Sequence, residues 1–278
     1  MLKNGIALHS ELTSEEFRAE LIRCRKSESE FLQNEGLFRD SSYIWPRSAI
    51  NNWGRIWEYP FVSLAISSLL NGEESSILDF GSGVTFFPYM LAKNSKIKEI
   101  YTLDNDVVSV EANNKASLVF AEKGKPPKIR PLYADSGSSI KLESNSIDLV
   151  YSISVIEHLE NYDEIISEIF RILKPGGYFI VTLDVDLRGD FALSQQQFKS
   201  FFDILNSKFL PKYSNINYHP LDMLTTINSP IKSEKRSIIG RFKGIIKDVL
   251  SGDYRTGFRD YKLNITCYGG GFIKAKNT

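Results

Sequence analysis

The chain has 278 residues, 42% of them hydrophobic, and its 34 lysines and arginines balance 34 aspartates and glutamates. That length accommodates one large domain with additions, and a neutral balance supplies no field to draw in nucleic acid, so no nucleic-acid partner is expected. Cys24 and Cys267 stand far apart with no Cys-x-x-Cys pair, which speaks against zinc modules and a disulfide framework and for a reducing, cytoplasmic setting.

The N-terminus lacks the apolar run of a signal peptide, and no window approaches the ~18–20 apolar residues of a membrane span. Residues 11–34 are charged, with apolar positions at Leu12, Phe17, Leu21, Ile22 and Phe31, a pattern that suits a surface helix in an N-terminal extension. From Tyr43 to Phe61 aromatic residues (Tyr43, Trp45, Trp53, Trp57, Tyr59, Phe61) alternate with Arg47 and Arg55. Such a segment either packs the extension onto the main domain or forms a lid over an anionic or planar small molecule.

Between about Ser75 and Val185 short apolar runs alternate with helical stretches, as a parallel α/β sheet requires. Strands are predicted at Ser76–Phe80, Glu99–Asp104, Lys128–Tyr133, Ile147–Ser152 and Gly177–Asp184, with helices near Phe86–Lys93, Val107–Lys123 and Asp163–Leu173. Lys174-Pro175-Gly176-Gly177 stops the last helix and opens a strand. Residues 194–209 read as a helix, and Tyr261–Lys274 as a strand broken at Gly269–Gly271. Between them Ile238, Phe242, Ile245, Ile246 and Val249 share one face of a basic amphipathic helix, which either packs on the chain's own core, the commoner outcome, or makes a peripheral membrane contact. The organisation expected is an extension over 1–70, a core over 71–230, an insert over 231–262 and a final strand over 263–278.

The stretch ILDFGSGVT, residues 77–85, places glycines after a strand and before a helix, where a ligand can approach bare backbone. No lysine follows Gly83 before Lys93, so a Walker loop is excluded, and Phe86 occupies the third glycine position of a dinucleotide fingerprint. Asp79, Asp104 and Asp135 close three successive strands on one edge of the sheet. A carboxylate after the second strand can accept from two ribose hydroxyls, and one after the third from an adenine amino group.

With ILDFGSG, IYTLDND, YADSGSSI and SNSIDLVYSISVIEHLENYDEIISEIFRILKPGGYFIVT, residues 75–185 resemble the class I S-adenosylmethionine-dependent methyltransferases of the small-molecule group. The resemblance implies a Rossmann-like α/β fold, a mostly parallel sheet of about seven strands with helices on both faces, closed by an antiparallel pair placed near Ser214–Asn217 and Leu263–Lys274. It implies S-adenosyl-L-methionine as cofactor, with Gly81 and Gly83 at its methionine part, Asp104 at the ribose, Asp135 and Ser136 at adenine, Ser152 near the transferred methyl, and Asp79 and Asn105 also among the cofactor-binding residues. Thr85 stands where many relatives have glycine. RIWEYPF is loosely similar to the entry segment of bacterial glycan- and lipopolysaccharide-associated methyltransferases, which makes Arg55 the residue for the cofactor carboxylate.

Displacement at a methyl sulfonium needs alignment and exclusion of water, whereas a hydroxyl acceptor must also lose a proton. His158 is the first candidate for base or substrate positioning, against a packing role at a helix start; His219 is the second, against a structural role before Pro220. In ubiquinone-type O-methyltransferases a similar Glu-His pair plus an upstream glutamate is associated with a divalent metal, but Ser154 occupies that upstream position here, so no metal is expected. The activity expected is methyl transfer to a hydroxyl of a sugar, nucleotide sugar or glycan intermediate in polysaccharide biosynthesis. The alternatives are N-methylation of a small amine and a non-catalytic binding subunit.

Overall fold

The computed structural model describes residues 2–43, 46–70, 74–135, 139–159, 161–186, 195–217, 219–231 and 265–276. The amphipathic segment 238–250, Trp45 and Ser136 lie outside them. Helices α1 (His9–Thr13), α2 (Glu15–Leu32) and α3 (Arg55–Leu69) precede an alternating series. It runs β2 (Ser75–Phe80), α4 (Phe87–Ala92), β3 (Ile97–Asp104), α5 (Val107–Val119), β4 (Ile129–Tyr133), β5 (Ile147–Ile153), α6 (Tyr162–Ile172) and β6 (Leu173–Asp186). Helix α7 (Gln195–Lys208), β7 (Leu210–Pro211) and β8 (Ile265–Ile273) follow, and a short β1 (Gly5–Ile6) precedes everything.

The strands form one sheet in the order β1-β8-β6-β5-β2-β3-β4, with β7 also on β8. β4, β3, β2, β5 and β6 are parallel, whereas β8 is antiparallel to β6, β1 and β7. Parallel strands covered by helices on both faces bury both sets of side chains, which is why Ile77 and Leu78, consecutive in β2, are both fully buried. The order reverses between β2 and β5, so the crevice beyond their carboxyl ends is where such a sheet takes a ligand.

Two sequence expectations change. Besides β6, the antiparallel partners of β8 are Leu210–Pro211 and Gly5–Ile6, not Ser214–Asn217: there, Asn215 makes a parallel bridge to Asn4. And β8 runs unbroken through Gly269–Gly271, because those glycines make room for aromatic rings. A Cβ on Gly269 would stand 2.5 Å from Trp57 Cη2 and 2.8 Å from Phe61 Cε1, whose rings stack 4.7 Å apart on α3.

The extension is built into the core. α2 turns Phe17, Cys24, Glu28 and Phe31 inward at near-heptad spacing, and α3 is buried along most of its length. Trp53, Trp57 and Phe61 are therefore packing residues. No helix among the described residues is long and apolar enough to cross a membrane.

Candidate functional site

A cavity of about 1040 Å³ opens beyond the carboxyl ends of β2, β3 and β5. Its floor is the turn after β2. Gly81 (φ +75°) and Gly83 (φ +51°) both occupy the left-handed region, and a Cβ on Gly81 would collide with Val155. The turn is pinned from three sides: Gly81 N and Ser82 N donate to Leu103 O at 2.9 and 3.0 Å, Asn113 Nδ2 donates to Gly83 O at 2.6 Å, and Arg39 Nη2 donates to Val84 O.

Asp104 ends β3 at the same point. Its Oδ2 accepts from Gly83 N at 2.7 Å and its Oδ1 from Asp106 N at 2.9 Å. Each oxygen keeps a second lone pair for a ligand hydroxyl. Burial pushes the Asp104 carboxyl up, and these amides counter part of the effect. Asp79, buried in β2 opposite Tyr151, is pushed up to about 8, chiefly by burial and further by the charge of Asp104. Asn105 and Asp135 also line the cavity, and Asp135 Oδ1 accepts a hydrogen bond from the Tyr133 hydroxyl at the exposed rim.

Arg55 opens α3 and faces the cavity while paired with the fully buried Glu58, whose Oε1 also accepts from Ser154 Oγ at 2.6 Å. His158 ends the 3-10 turn Ile156–His158 and lines the cavity at its mouth. Desolvation and then the Arg55 charge push its imidazole below the usual histidine value, which leaves it neutral at neutral pH. Its neighbour Glu157 points the other way, accepting from Asp184 N at 3.0 Å.

Two candidates stand apart from the cavity. Ser152 is fully buried and donates to Phe80 O at 3.1 Å, tying β5 to β2, so Tyr151, Ile153 and Ser154 supply the lining instead. Strand alternation explains this, because one residue's shift turns a side chain to the opposite face. His219 does not line the cavity: its Nδ1 accepts from Leu221 N at 3.3 Å and caps the Pro220–Asp222 turn. Of the aromatic segment, Tyr43 and Tyr59 reach the cavity while Trp53 is in the core. Sequence reasoning missed Arg39 and Asn113, which carry no local motif because each reaches the turn from a separate part of the chain, Arg39 from the loop after Glu35–Leu37 and Asn113 from α5.

A glycine turn whose backbone is left bare, with a half-satisfied carboxylate at the next strand end, defines a nucleoside-binding α/β domain of the Rossmann-like class. Residues 78–181 match the family model described as a methyltransferase domain, and this part of the chain is a class I S-adenosylmethionine-dependent methyltransferase domain. S-adenosyl-L-methionine is the cofactor of that domain, and the bare turn, Asp104 and the cavity volume fit it.

A Mycolicibacterium smegmatis protein described as an S-adenosylmethionine-dependent methyltransferase is 42% identical over 45 residues. That match covers 16% of this chain and 18% of the relative's length. Among solved structures, the [4+2]-cyclase SpnF is similar with a TM-score of 0.54 at 14% identity, over 93% of this chain and 97% of that one. A Galdieria sulphuraria protein described as a sarcosine dimethylglycine methyltransferase is similar with a TM-score of 0.51 at 17% identity, over 81% and 86%. These likenesses establish the fold, and one fold serves several chemistries.

Proposed function

We propose that the chain is an enzyme that transfers the methyl group of S-adenosylmethionine to a hydroxyl of a small polar acceptor of the sugar, nucleotide sugar or glycan-intermediate class. The observation that carries this reading is that the glycine turn, Asp104 and a neutral His158 share one cavity with a polar wall of Ser48, Asn51 and Asn52. Its volume sits at the upper end of the ~300–1,000 Å³ typical of a single-ligand site, which leaves room for an acceptor beside the cofactor.

S-adenosylmethionine supplies a methyl group already activated as a sulfonium. The chain's own residues bind, orient and deprotonate. Gly81 and Gly83 leave a backbone surface without side chains for the methionine part, Asp104 and Asn105 accept the ribose, and Asp135 takes adenine at the rim. Arg55 offers its cavity-facing edge to the cofactor carboxylate while Glu58 holds its other side. His158 Nε2 or Nδ1 accepts the acceptor's hydroxyl proton, for which a neutral ring is required. Tyr43 and Tyr59 narrow the cavity and exclude water. Two free, buried cysteines suit a reducing cytoplasm.

Calorimetric titration with S-adenosylmethionine and separately with NAD comes first, followed by S-adenosylhomocysteine release in the presence of sugars, nucleotide sugars and amines. Cofactor binding with release driven by hydroxyl acceptors is expected. Release driven by amines alone would replace O- with N-methylation, and failure to bind the cofactor would leave a binding subunit.

A further inference from the structure

Behind the wall that carries Arg55, four ionisable side chains from distant parts of the chain converge. Glu58 comes from α3, Glu157 from the turn after β5, Asp184 from β6 and Cys267 from β8. One donor atom each of Glu58, Asp184 and Cys267 lies within 4.8 Å of the others, and Cys267 Sγ is 3.6 Å from Asp184 Oδ1. That separation matches the sulfur-to-oxygen edge of a tetrahedron with bonds of ~2.3 Å to sulfur and ~2.0 Å to oxygen.

Glu157 provides an independent pointer. Its Oε1 accepts from Asp184 N, but its Oε2 is buried without a hydrogen-bond partner among the described residues, in a side chain of a residue only 8% exposed that feels the charges of both Asp184 and Glu58. Native proteins rarely leave a buried carboxylate oxygen unpaired unless something else binds there. Gly54 is what lets the sulfur sit this close to the carboxylates: a Cβ there would lie 2.7 Å from Cys267 Sγ, 3.5 Å from Glu58 Oε2 and 3.9 Å from Asp184 Oδ1.

The charges point the same way. Three carboxylates face one guanidinium, that of Arg55, which leaves two negative charges in excess. A divalent cation offsets those two charges, the bound Cys267 thiolate adding one back, whereas an organic ammonium offsets only one and has no use for a thiol.

We propose that Glu58, Asp184 and Cys267, with Glu157 beside them, form a binding site for a divalent first-row ion of borderline softness, Zn²⁺ being the type. A thiolate with carboxylates suits Zn²⁺ or Co²⁺ and disfavours Mg²⁺ and Ca²⁺, which take all-oxygen sets. Binding releases the Cys267 thiol proton and the carboxylate protons to solvent as the metal bonds form. The ion ties α3 to β6 and β8 and fixes the wall that presents Arg55 and Ser154 to the cavity.

The test is independent of methyl transfer. The full-length chain, stripped with chelator, is titrated with Co²⁺. One ion per chain is expected, with a near-ultraviolet thiolate-to-cobalt charge-transfer band that Zn²⁺ abolishes by displacement. Cys267→Ser and Gly54→Ala should remove the band and Cys24→Ser should keep it. Asp184→Asn, which keeps the thiol, should weaken binding by more than about tenfold. No band, or a band that survives Cys267→Ser, overturns the proposal. If Cys267→Ser loses its far-ultraviolet circular dichroism, Asp184→Asn decides, and unchanged affinity there overturns it.

Discussion

Replacing Asp104 by Asn removes the charge from the carboxylate that joins the glycine turn to the end of β3. In the parent both oxygens are engaged, Oδ2 by Gly83 N at 2.7 Å and Oδ1 by Asp106 N at 2.9 Å, so the variant keeps one acceptor and turns a donor toward one of these amides. A hydrogen bond to a charged group contributes ~1.5–3 kcal/mol, and ~1.4 kcal/mol is a factor of ten in affinity. Loss of one charge-assisted bond to the ribose therefore weakens S-adenosylmethionine by about 10- to 150-fold. Displacement of the Gly83 amide adds to this through the turn itself. Titration calorimetry against the cofactor and its demethylated product, with a thermal melt to verify folding, reads the effect. A folded Asp104→Asn protein with parental affinity would refute the assignment of this residue to the ribose.

His158→Gln should lower kcat by about 10²–10⁴-fold and leave cofactor affinity unchanged. In the parent the acid limb of kcat should fall below pH 6.5, because the folded imidazole is depressed, and the variant should lack that limb. Asp79 gives a pH-dependent stability. Its folded state holds a proton that the unfolded chain releases between 3.8 and about 8, so stability falls as pH rises through that window. Asp79→Asn should remove this slope, so that melting temperatures of the variant and parent diverge from pH 5 to pH 8 in the variant's favour. Gly269→Ala drives a methyl group into the Trp57–Phe61 stack, and overpacking of ~1–3 kcal/mol should lower the melting temperature by several degrees in calorimetry while Asp104-dependent cofactor binding persists.

The local half of this protein was legible in its sequence. The predicted strand ends at Phe80, Asp104 and Tyr133 coincide with those of β2, β3 and β4. Apolar runs between turn formers fix a buried parallel strand, and the left-handed region at Gly81 and Gly83 follows from glycine's missing Cβ. Chemistry at strand ends is local in the same sense, which is why Asp79, Asp104 and His158 could be placed near one edge before any coordinates.

What only the tertiary structure decided involves residues far apart in the chain. Glycines at 269–271 read as a break until aromatic rings are seen to fill their missing side chains, those of Trp57 and Phe61 on α3 at Gly269 and that of Tyr213 at Gly271. Ser152 and Ser154 differ in the sequence by two positions, yet one ties strands together and the other meets Glu58 beside the cavity, because the chain turns at Ser154 with φ +46°. Arg39 holds the turn from 45 positions upstream, and Glu58, Glu157, Asp184 and Cys267 meet from four separate elements. Periodicity reports which side of an element is buried but carries no record of what will be packed against it, and every one of these contacts is set by that packing.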